Sequence, residues 1–430
     1  MASAAIKRPL RILFIAPYVP SLVRVRPYNL IKSLAARGHR VTLCVPTTSA
    51  REGDHLADVA SYCERIESVP LSRLQPLWSC TRAVFRGLPM QAMYCYAPEL
   101  QRRIDRWLVG DGGAPAPDVV HVEHLRAALF GWSHVEVPHV FDAVDCISQL
   151  FARTTQASSA RLSRMLARLD LPRTRRFERR LVERFARVVT TSESERRALL
   201  DLCVERNAAP AGGARSRTGT GPRIDVVTNG VDLDYFRPQR RAQAPPTLVY
   251  VGRMSYHANV TAAVFLARDI MPRVWARHPG VRLTVVGERP HPRVRKLAEQ
   301  HPSRISVTGG VPDVRPYLAE ATVSVAPVLY GVGVQNKVLE AMAMGTPVVC
   351  SPASCNALAV RDGEHVLVAQ SAEEFAAAVA RLINETALQQ RLSQAARTYV
   401  EQHHDWRRSA AQLEDIYHEE IAKRAINNER

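Results

Sequence analysis

The segment 328–349 constrains the fold of this chain more than any other part of the sequence. It reads VLYGVGVQNKVLEAMAMGTPVV, so an apolar strand end runs into two glycines, a helix and a second apolar strand. Gly331 and Gly333 let backbone N–H groups approach a ligand. Gln335 or Asn336 can begin a helix that carries Lys337 in its first turn, so the helix N-terminus faces the same place. Helices between buried apolar strands are typical of parallel sheets. The segment therefore predicts an α/β fold with an anion site at a helix N-terminus.

Other residues of this segment are candidates for the same site. Glu340 lies one turn after Lys337, so its carboxylate can accept hydrogen bonds from hydroxyls beside the bound anion. Val334 and Asn336 lie between the glycines and the lysine and are expected to line the ligand. An exposed Lys and Glu on an ordinary helix would explain the same pattern. If the site is real, it suits a phosphate joined to a sugar.

Length and charge narrow the possibilities. The 430 residues exceed the roughly 250–300 at which one hydrophobic core stops growing, which predicts two domains. Lys and Arg number 58 against 41 Asp and Glu, a formal net charge of +17, so anionic partners are favoured. Nucleic acid is not expected, because its binding needs exposed aromatic side chains among the basic ones and only 6% of the residues are aromatic.

The cysteines and the apolar runs predict a cytoplasmic protein. The eight cysteines include no C-x-x-C pair, and no histidine cluster has the spacing of metal ligands, so no metal site is expected. The apolar run 12–16 is too short for a signal peptide. The longest uncharged stretch, 341–360, is interrupted by Gly345, Pro347 and Pro352, so no transmembrane helix is expected.

Polar side chains follow two apolar strands of the first half. Residues 11–45 read as strand, helix and strand, the start of a parallel α/β sheet. His124 follows a later strand, and Asp142 and Asp145 follow the next one. Open α/β sheets bind ligands beyond the carboxyl ends of their strands, although each residue alone is explained more simply by a structural role. Arg26, in the loop after the first strand, can reach a phosphate or can remain a solvated loop arginine.

Gly252 and Arg253 form a second candidate for phosphate binding. They follow the apolar strand 248–251, and a guanidinium can bind two phosphate oxygens at once. In isolation this pattern is weak.

The stretch 153–187 is strongly basic and amphipathic. It contains eleven arginines against three acidic residues, with apolar residues at helical spacing. We predict two basic helices divided at Pro172. Their apolar stripe can pack on the sheet while the arginines stay solvated, or the arginines can contact anionic lipid. We expect that some of these side chains pack on the sheet and that others attach the protein peripherally to the inner face of the cell membrane.

Longer motifs resemble those of the family 4 (group 1) glycosyltransferases, retaining enzymes of the GT-B fold. The pattern G-x-G-x-x-N-K-x-x-E-A-M-A-x-G-x-P-V-V of the segment 331–349 resembles the donor-site signature of that family. The segment 224–232 resembles the element NGVD that ends the first domain, with Asn229 near the donor. Met254, Tyr256 and Asn259 resemble a subgroup of sugar transferases of exopolysaccharide biosynthesis, associated with PEP-CTERM and exosortase systems.

The resemblance implies two doubly wound Rossmann-like domains that face a central cleft. Residues 1–235 would form the acceptor-binding domain and 236–400 the nucleotide-sugar-binding domain. Residues 401–430 would form a helix that packs back toward the first domain.

The resemblance also implies the reaction, a metal-independent hexosyl transfer from a nucleotide-diphosphate sugar to a glycan or lipid-linked acceptor, with retained configuration and no cofactor. The family's first donor-site glutamate falls on Val332, so the identity of the sugar does not carry over. The catalytic candidates are Arg253, Lys337, His124 and Asp142. The donor-binding candidates are Asn229, Gly252, Gly331, Gly333, Val334, Asn336 and Glu340. The acceptor-side candidates are Arg26 and Asp145.

Other functions are compatible with parts of this pattern. A nucleotide-sugar epimerase of the GT-B fold would act on the donor without an acceptor, and a non-catalytic relative would only bind the nucleotide sugar. A dinucleotide-dependent oxidoreductase would need G-x-G-x-x-G after its first strand, where residues 17–27 contain no glycine.

Overall fold

The chain forms two compact units. One consists of Met1–Thr228 with Trp406–Arg430, and the other is Asn229–Asp405. The computed structural model describes residues 8–48, 52–72, 75–110, 115–132, 136–157, 161–204, 222–239, 245–330 and 333–428.

A parallel sheet forms the centre of the first unit. Its strands are β1 (Arg11–Ile15), β2 (Arg40–Thr47), β3 (Arg65–Pro70), β4 (Val119–Glu123), β5 (His139–Val144), β6 (Arg187–Thr190) and β7 (Ile224–Val226). They pair in the order β3-β2-β1-β4-β5-β6-β7. Every residue of β4 is buried, as expected for a parallel sheet covered on both faces.

Helices cover this sheet. They are α1 (Val25–Ala36), α2 (Glu52–Ala60), α3 (Gln75–Phe85), α4 (Met90–Tyr94), α5 (Pro98–Leu108), α6 (Ile147–Ala157), α7 (Arg161–Arg184) and α8 (Glu193–Val204). The strand and helix predicted at the start of residues 11–45 are confirmed as β1 and α1.

The predicted division of the basic stretch at Pro172 is wrong, because α7 continues through this proline. A proline in a helix interior costs about 3 kcal/mol, since its ring clashes and one N–H is lost. Nearby, the Nη1 of Arg173 donates a hydrogen bond to the carbonyl of Leu169 (3.0 Å). Phe177 and Leu181, on the next turns, are fully buried in the core of the unit. Burial of this apolar stripe offsets the cost of the proline.

The second unit contains a smaller parallel sheet. Its strands are β8 (Thr247–Val251), β9 (Arg282–Val286), β10 (Ile305–Gly309), β11 (Val323–Ala326), β12 (Val348–Cys350) and β13 (Leu367–Val368), in the order β10-β9-β8-β11-β12-β13. Its α-helices are α9 (His257–Phe265), α10 (Met271–Arg277), α11 (Pro292–Gln300), α12 (Arg315–Glu320), α13 (Asn336–Ala343), α14 (Pro352–Cys355), α15 (Ala372–Asn384) and α16 (Thr386–His403). A π-helical turn, Leu266–Ile270, connects α9 to α10.

Together the two parallel sheets confirm the predicted α/β class with two Rossmann-like units. Within the described ranges, no helix combines the length and the apolar character needed to cross a bilayer.

The last helix, α17 (Trp406–Asn428), belongs to the first unit. Trp406 and Tyr417 are buried among side chains of β1, β2 and α1. The hydroxyl of Tyr417 lies 2.8 Å from Nδ1 of His121 in β4, and Arg37 at the end of α1 pairs with Glu414. The chain therefore returns to complete the core of the first unit.

The units divide between Thr228 and Asn229, seven residues before the predicted boundary at 235. The N–H of Val231 donates to the carbonyl of His404 (2.7 Å), and Nδ1 of His404 donates to the carbonyl of Asn229 (2.8 Å). These bonds tie residues 229–231 to the end of α16. For the same reason residues 401–405, predicted to belong with the last helix, lie in the second unit.

Candidate active site

The ammonium of Lys337 is held by two side chains of the second unit. Lys337 lies in the first turn of α13, which begins at Asn336. Its Nζ donates to Oδ1 of Asn259 in α9 (2.6 Å) and to the hydroxyl of Tyr250 in β8 (3.4 Å). It also lies 5.0 Å from the centre of the Tyr250 ring, within the range of a cation–π contact. One strand and two helices thus position this cation.

Asn259 connects Lys337 to the loop that carries Arg253. Its Oδ1 also accepts from the hydroxyl of Tyr250 (3.1 Å), and its Nδ2 donates to the carbonyl of Arg253 (3.1 Å). The residue is 8% exposed, so these bonds are largely shielded from water. The sequence indicated Asn259 only as a feature of a subgroup, and its role in positioning the two cations was missed.

Gly252 lies directly beside this cluster. A Cβ on Gly252 would lie 3.0 Å from Nδ2 of Asn259 and 3.3 Å from Nζ of Lys337, so a larger residue would press on the amide and the ammonium. The neighbouring side chain of Arg253 is 48% exposed, and its Nε lies 3.7 Å from Oε1 of Glu288. An exposed ion pair of this length stabilises little, so an incoming anion can replace the carboxylate.

The two charged groups of α13 have shifted pKa values. Burial lowers the pKa of Lys337 to about 8, and the carboxylate of Glu340 acts in the opposite direction. Burial likewise raises the pKa of Glu340 to about 7, and the nearby Lys337 opposes this shift. Both groups therefore titrate near neutral pH. A bound phosphate would favour the charged form of Lys337.

The loop between β11 and α13 is anchored at Tyr330, just before its glycines. The hydroxyl of Tyr330 lies 2.9 Å from Nδ1 of His257, and the two rings stack with centroids 5.4 Å apart. Gly333 is buried and has a φ of +73°, a conformation that favours glycine. The half-buried Val334 follows it. Gly331 and Val332 lie outside the described residues.

Asn229 and Asn336 also meet in the second unit. Nδ2 of Asn229 donates to Oδ1 of Asn336 (3.3 Å). The structure therefore places Asn229, predicted only from the resemblance, at the first residue of α13. All described donor-site candidates lie in the second unit.

A close backbone contact at Gly287 holds the loop of Gly252, and sequence reasoning missed it. Gly287 follows β9, and the N–H of Gly252 donates to the carbonyl of Val286 (3.0 Å). A Cβ on Gly287 would lie 1.7 Å from the carbonyl oxygen of Gly252, a distance that no side chain can accept.

We expect Gly287→Ala to lower the free energy of unfolding by at least about 2 kcal/mol, because the backbone must move to admit one methyl group. Gly280→Ala is the matched control, since a Cβ there meets no atom within 4 Å. Chemical denaturation measures both variants. Equal stability of the two variants would show that the backbone at Gly287 can move without loss of stability.

In the first unit, Arg26 and Asp142 form a buried ion pair. Nη2 of Arg26 lies 2.7 Å from Oδ2 of Asp142, and the side chains are 4% and 0% exposed. Nη1 of Arg26 donates to the carbonyl of Val227 (3.0 Å), and the N–H of Val144 donates to Oδ1 of Asp142 (3.1 Å). Arg26 is therefore a residue of α1 inside the unit, not of a solvated loop. We assign the pair a structural role, joining α1, β5 and the end of β7.

His124 and Asp145 are half-buried at the carboxyl ends of β4 and β5. Nδ1 of His124 accepts from the N–H of Arg126 (3.1 Å), and its ring lies 6.3 Å from that of Tyr18. Burial lowers the pKa of His124 to about 3, and the Arg126 guanidinium adds to this effect, so the imidazole is neutral. Burial, together with the charge of Glu195, raises the pKa of Asp145 to about 7.

Glu123, the last residue of β4, was not a candidate from the sequence. It is 1% exposed, and its Oε2 makes no hydrogen bond within the described ranges. Burial raises the pKa of Glu123 well above its usual value, and the charge of the nearby Asp142 adds to the shift, so the protonated carboxyl is favoured. Its position at the carboxyl end of a buried strand was the available signal.

Two protein-family models match the chain. Residues 23–209 match the model described as "Glycosyl transferase 4-like domain", and residues 245–385 match "Glycosyl transferases group 1". The first range lies in the first unit and the second range in the second unit.

Curated relatives match over part of their length. The D-inositol 3-phosphate glycosyltransferase of Mycolicibacterium paratuberculosis is 30% identical over 267 residues, which cover 57% of this chain and 54% of the relative. The phosphatidyl-myo-inositol mannosyltransferase of Mycobacterium tuberculosis is 29% identical over 203 residues, covering 44% and 53%. The chain thus spans about half the length of the curated relatives it matches.

Solved structures match over nearly the whole chain. Sucrose-phosphate synthase from Thermosynechococcus elongatus superposes with a TM-score of 0.69 at 20% identity, covering 96% of this chain and 100% of that one. HepE from Anabaena, solved with UDP and glucose, gives 0.65 at 16% identity, covering 95% and 99%. At these identities the similarity shows only the fold, which is the GT-B fold of these structures.

Proposed function

Because the chain joins a glycosyl transferase 4-like domain to a glycosyl transferases group 1 domain on a GT-B fold, we propose that it transfers a sugar from a nucleotide-diphosphate donor to an acceptor hydroxyl. The observation that carries the proposal is the ammonium of Lys337, held by Asn259 beside Gly252 and Arg253. Two cations and a helix N-terminus in one unit provide a site for two linked phosphates.

The chemistry follows from the charge that develops on the leaving group. As the acceptor hydroxyl oxygen bonds to the anomeric carbon, the bond from that carbon to the diphosphate breaks. The diphosphate leaves with the electron pair, and the hydroxyl proton passes to one of its oxygens. Lys337, Arg253 and the N–H groups at the start of α13 would stabilise that charge. Preorganised donors of this kind are usually the largest single contribution to catalysis. We propose that configuration is retained, which the anomeric coupling constant of the product in an NMR spectrum tests.

Glu340 and Asn229 would position the nucleoside end of the donor. Glu340 follows Lys337 by one turn, and its carboxyl can hydrogen-bond to ribose hydroxyls. HepE was solved with UDP and glucose, which supports a nucleotide sugar as the donor class.

We place the acceptor in the first unit, near His124 and Asp145, where strands β4 and β5 end. Because Nδ1 accepts from the N–H of Arg126, the neutral imidazole carries its proton on Nε2 and can donate a hydrogen bond to an acceptor hydroxyl. We propose a glycan or lipid-linked acceptor of exopolysaccharide assembly. The name of the mycobacterial mannosyltransferase, which includes a phosphatidyl lipid, supports a lipid-linked one.

One assay separates this function from its two alternatives. The purified chain is incubated with a panel of nucleotide sugars, with and without acceptor glycans or lipid-linked sugars. Nucleoside diphosphate release and the identity of the sugar on the remaining donor are both measured. A glycosyltransferase requires the acceptor for turnover. An epimerase converts the donor without an acceptor, and a non-catalytic relative shows a thermal shift with the nucleotide but no turnover.

We expect turnover to persist in excess chelator, because Lys337 and Arg253 already supply positive charge to the diphosphate. Among the described residues, no group of three or more His, Cys, Asp or Glu side chains could hold a metal ion. The same transfer assay is run with and without EDTA. A complete loss of activity that Mg²⁺ or Mn²⁺ restores would overturn the expectation.

A further inference from the structure

Helix α3 presents two large aromatic side chains to solvent. Trp78 is 69% exposed and Phe85 is 92% exposed. Together with Arg82 they follow the spacing i, i+4, i+7, which places them on one face. Ser79 and Ala83 are buried on another face of the same helix. Exposed aromatic residues at helical spacing are unusual on a surface that only water contacts.

The first half of α7 is similar. Met165, Leu166 and Leu169 are 52%, 43% and 59% exposed, whereas Ala167 and Asp170 of the same turns are buried. One of the two expectations for this stretch was that its apolar stripe packs on the sheet. At the start of α7 part of that stripe is exposed instead, and the exposed Arg175 and Arg176 follow it.

The two helices are held together around Met90. The N–H of Met90 donates to both carboxylate oxygens of Asp170 in α7, at 3.0 and 3.3 Å. The carbonyl of Met90 accepts from Sγ of Cys80 in α3 (3.8 Å). A buried carboxylate thus fixes the connection between α3 and α7.

The charge of this region has one sign. Residues 75–90 and 161–176 contain Asp170 as their single acidic residue, and it is 1% exposed. Seven arginines of these ranges have described side chains: Arg82, Arg86, Arg164, Arg168, Arg173, Arg175 and Arg176. The surface therefore combines tryptophan, phenylalanine and leucine with positive charge and no exposed carboxylate.

We propose that α3 and the first half of α7, residues 75–90 and 161–176, form a docking surface for an anionic lipid bilayer. Aromatic and aliphatic side chains enter the interface of a membrane while arginines contact its phosphates. A second copy of the chain fits less well, because a symmetric contact would bring arginines against arginines. The proposal does not depend on sugar transfer.

Co-sedimentation of the full chain with lipid vesicles tests the proposal in the absence of any nucleotide sugar. We expect binding to phosphatidylcholine vesicles that contain phosphatidylglycerol, weak binding to pure phosphatidylcholine, and release at high salt. Equal binding to both vesicle types, or binding to neither, would overturn the proposal.

Two sets of variants separate the apolar and charged contributions. Trp78→Ala with Phe85→Ala should lower partitioning at least about tenfold, because both rings leave water when the surface docks. Arg82→Gln, Arg86→Gln and Arg168→Gln together should lower it about 100-fold, at about fivefold for each arginine. The matched controls are Ile426→Ala, 54% exposed on α17, and Arg268→Gln, Arg293→Gln and Arg295→Gln of the second unit.

The controls should bind vesicles as the wild type does. All variants should have the melting temperature of the wild type, because the replaced side chains are exposed. Light scattering of the same proteins tests whether a second copy of the chain, rather than a membrane, binds this surface. A wild-type dimer that the Trp78→Ala, Phe85→Ala variant abolishes, without vesicle binding, would assign the surface to a second copy and overturn the proposal. Lost vesicle binding in the control set would also overturn it.

Discussion

Lys337→Met is expected to lower turnover on the order of 10²- to 10³-fold, the usual cost of removing one preorganised donor to a developing negative charge. Its stability should stay unchanged or rise. The lowered pKa of Lys337 means that burial penalises its charge, and methionine fills similar volume without that penalty. A loss of activity with no loss of stability is the signature of a residue that acts on substrate.

Two companion variants sharpen this result. Arg253→Ala should lower turnover to a similar extent, and its half-exposed side chain leaves no cavity. Glu340→Gln should mainly raise the donor KM, because a ribose contact is made equally in the ground and transition states. Steady-state kinetics and melting temperatures are measured together. Near-normal turnover in both cation variants would place the diphosphate elsewhere.

We expect kcat/KM for the donor to fall about tenfold per pH unit above pH 8, because Lys337 then loses its proton. The corresponding alkaline limb of the kcat profile should lie at higher pH than the kcat/KM limb, since the bound diphosphate favours the protonated amine. Lys337→Arg is the control: an arginine keeps its charge, so any activity it retains should lack this limb.

Asn259→Asp tests whether Lys337 is the group that produces this limb. A carboxylate 2.6 Å from the ammonium would favour the charged lysine, so the kcat/KM limb should move to higher pH. Turnover at neutral pH should fall, because the new charge competes with the diphosphate for the same ammonium. An unmoved limb would show that another group titrates there.

Lys337 also makes the free energy of unfolding depend on pH. Because the pKa of Lys337 is lowered from 10.5 to about 8 on folding, the unfolded chain binds more protons between these values. This lysine therefore makes the free energy of unfolding rise with pH across that window. In Lys337→Met the contribution should be absent, which denaturation at several pH values measures.

The sequence by itself determined the class of fold and predicted the position of the candidate donor site. Apolar strands alternate with helices, and a parallel sheet is the arrangement that buries such strands on both faces. Gly333, Lys337 and Glu340 lie within one short segment, so loop and helix place them together without help from the rest of the chain. Signals of this kind depend on neighbours along the chain.

The tertiary structure decided which distant residues meet. Asn259 and Lys337 are 78 positions apart, and Arg26 and Asp142 are 116 apart. No local pattern distinguishes a cation that is shared with a buried amide from one that is solvated, or a catalytic aspartate from the partner of a buried arginine. The pKa of Lys337 and the ion pair of Asp142 both follow from burial, which arises only when separate elements pack together.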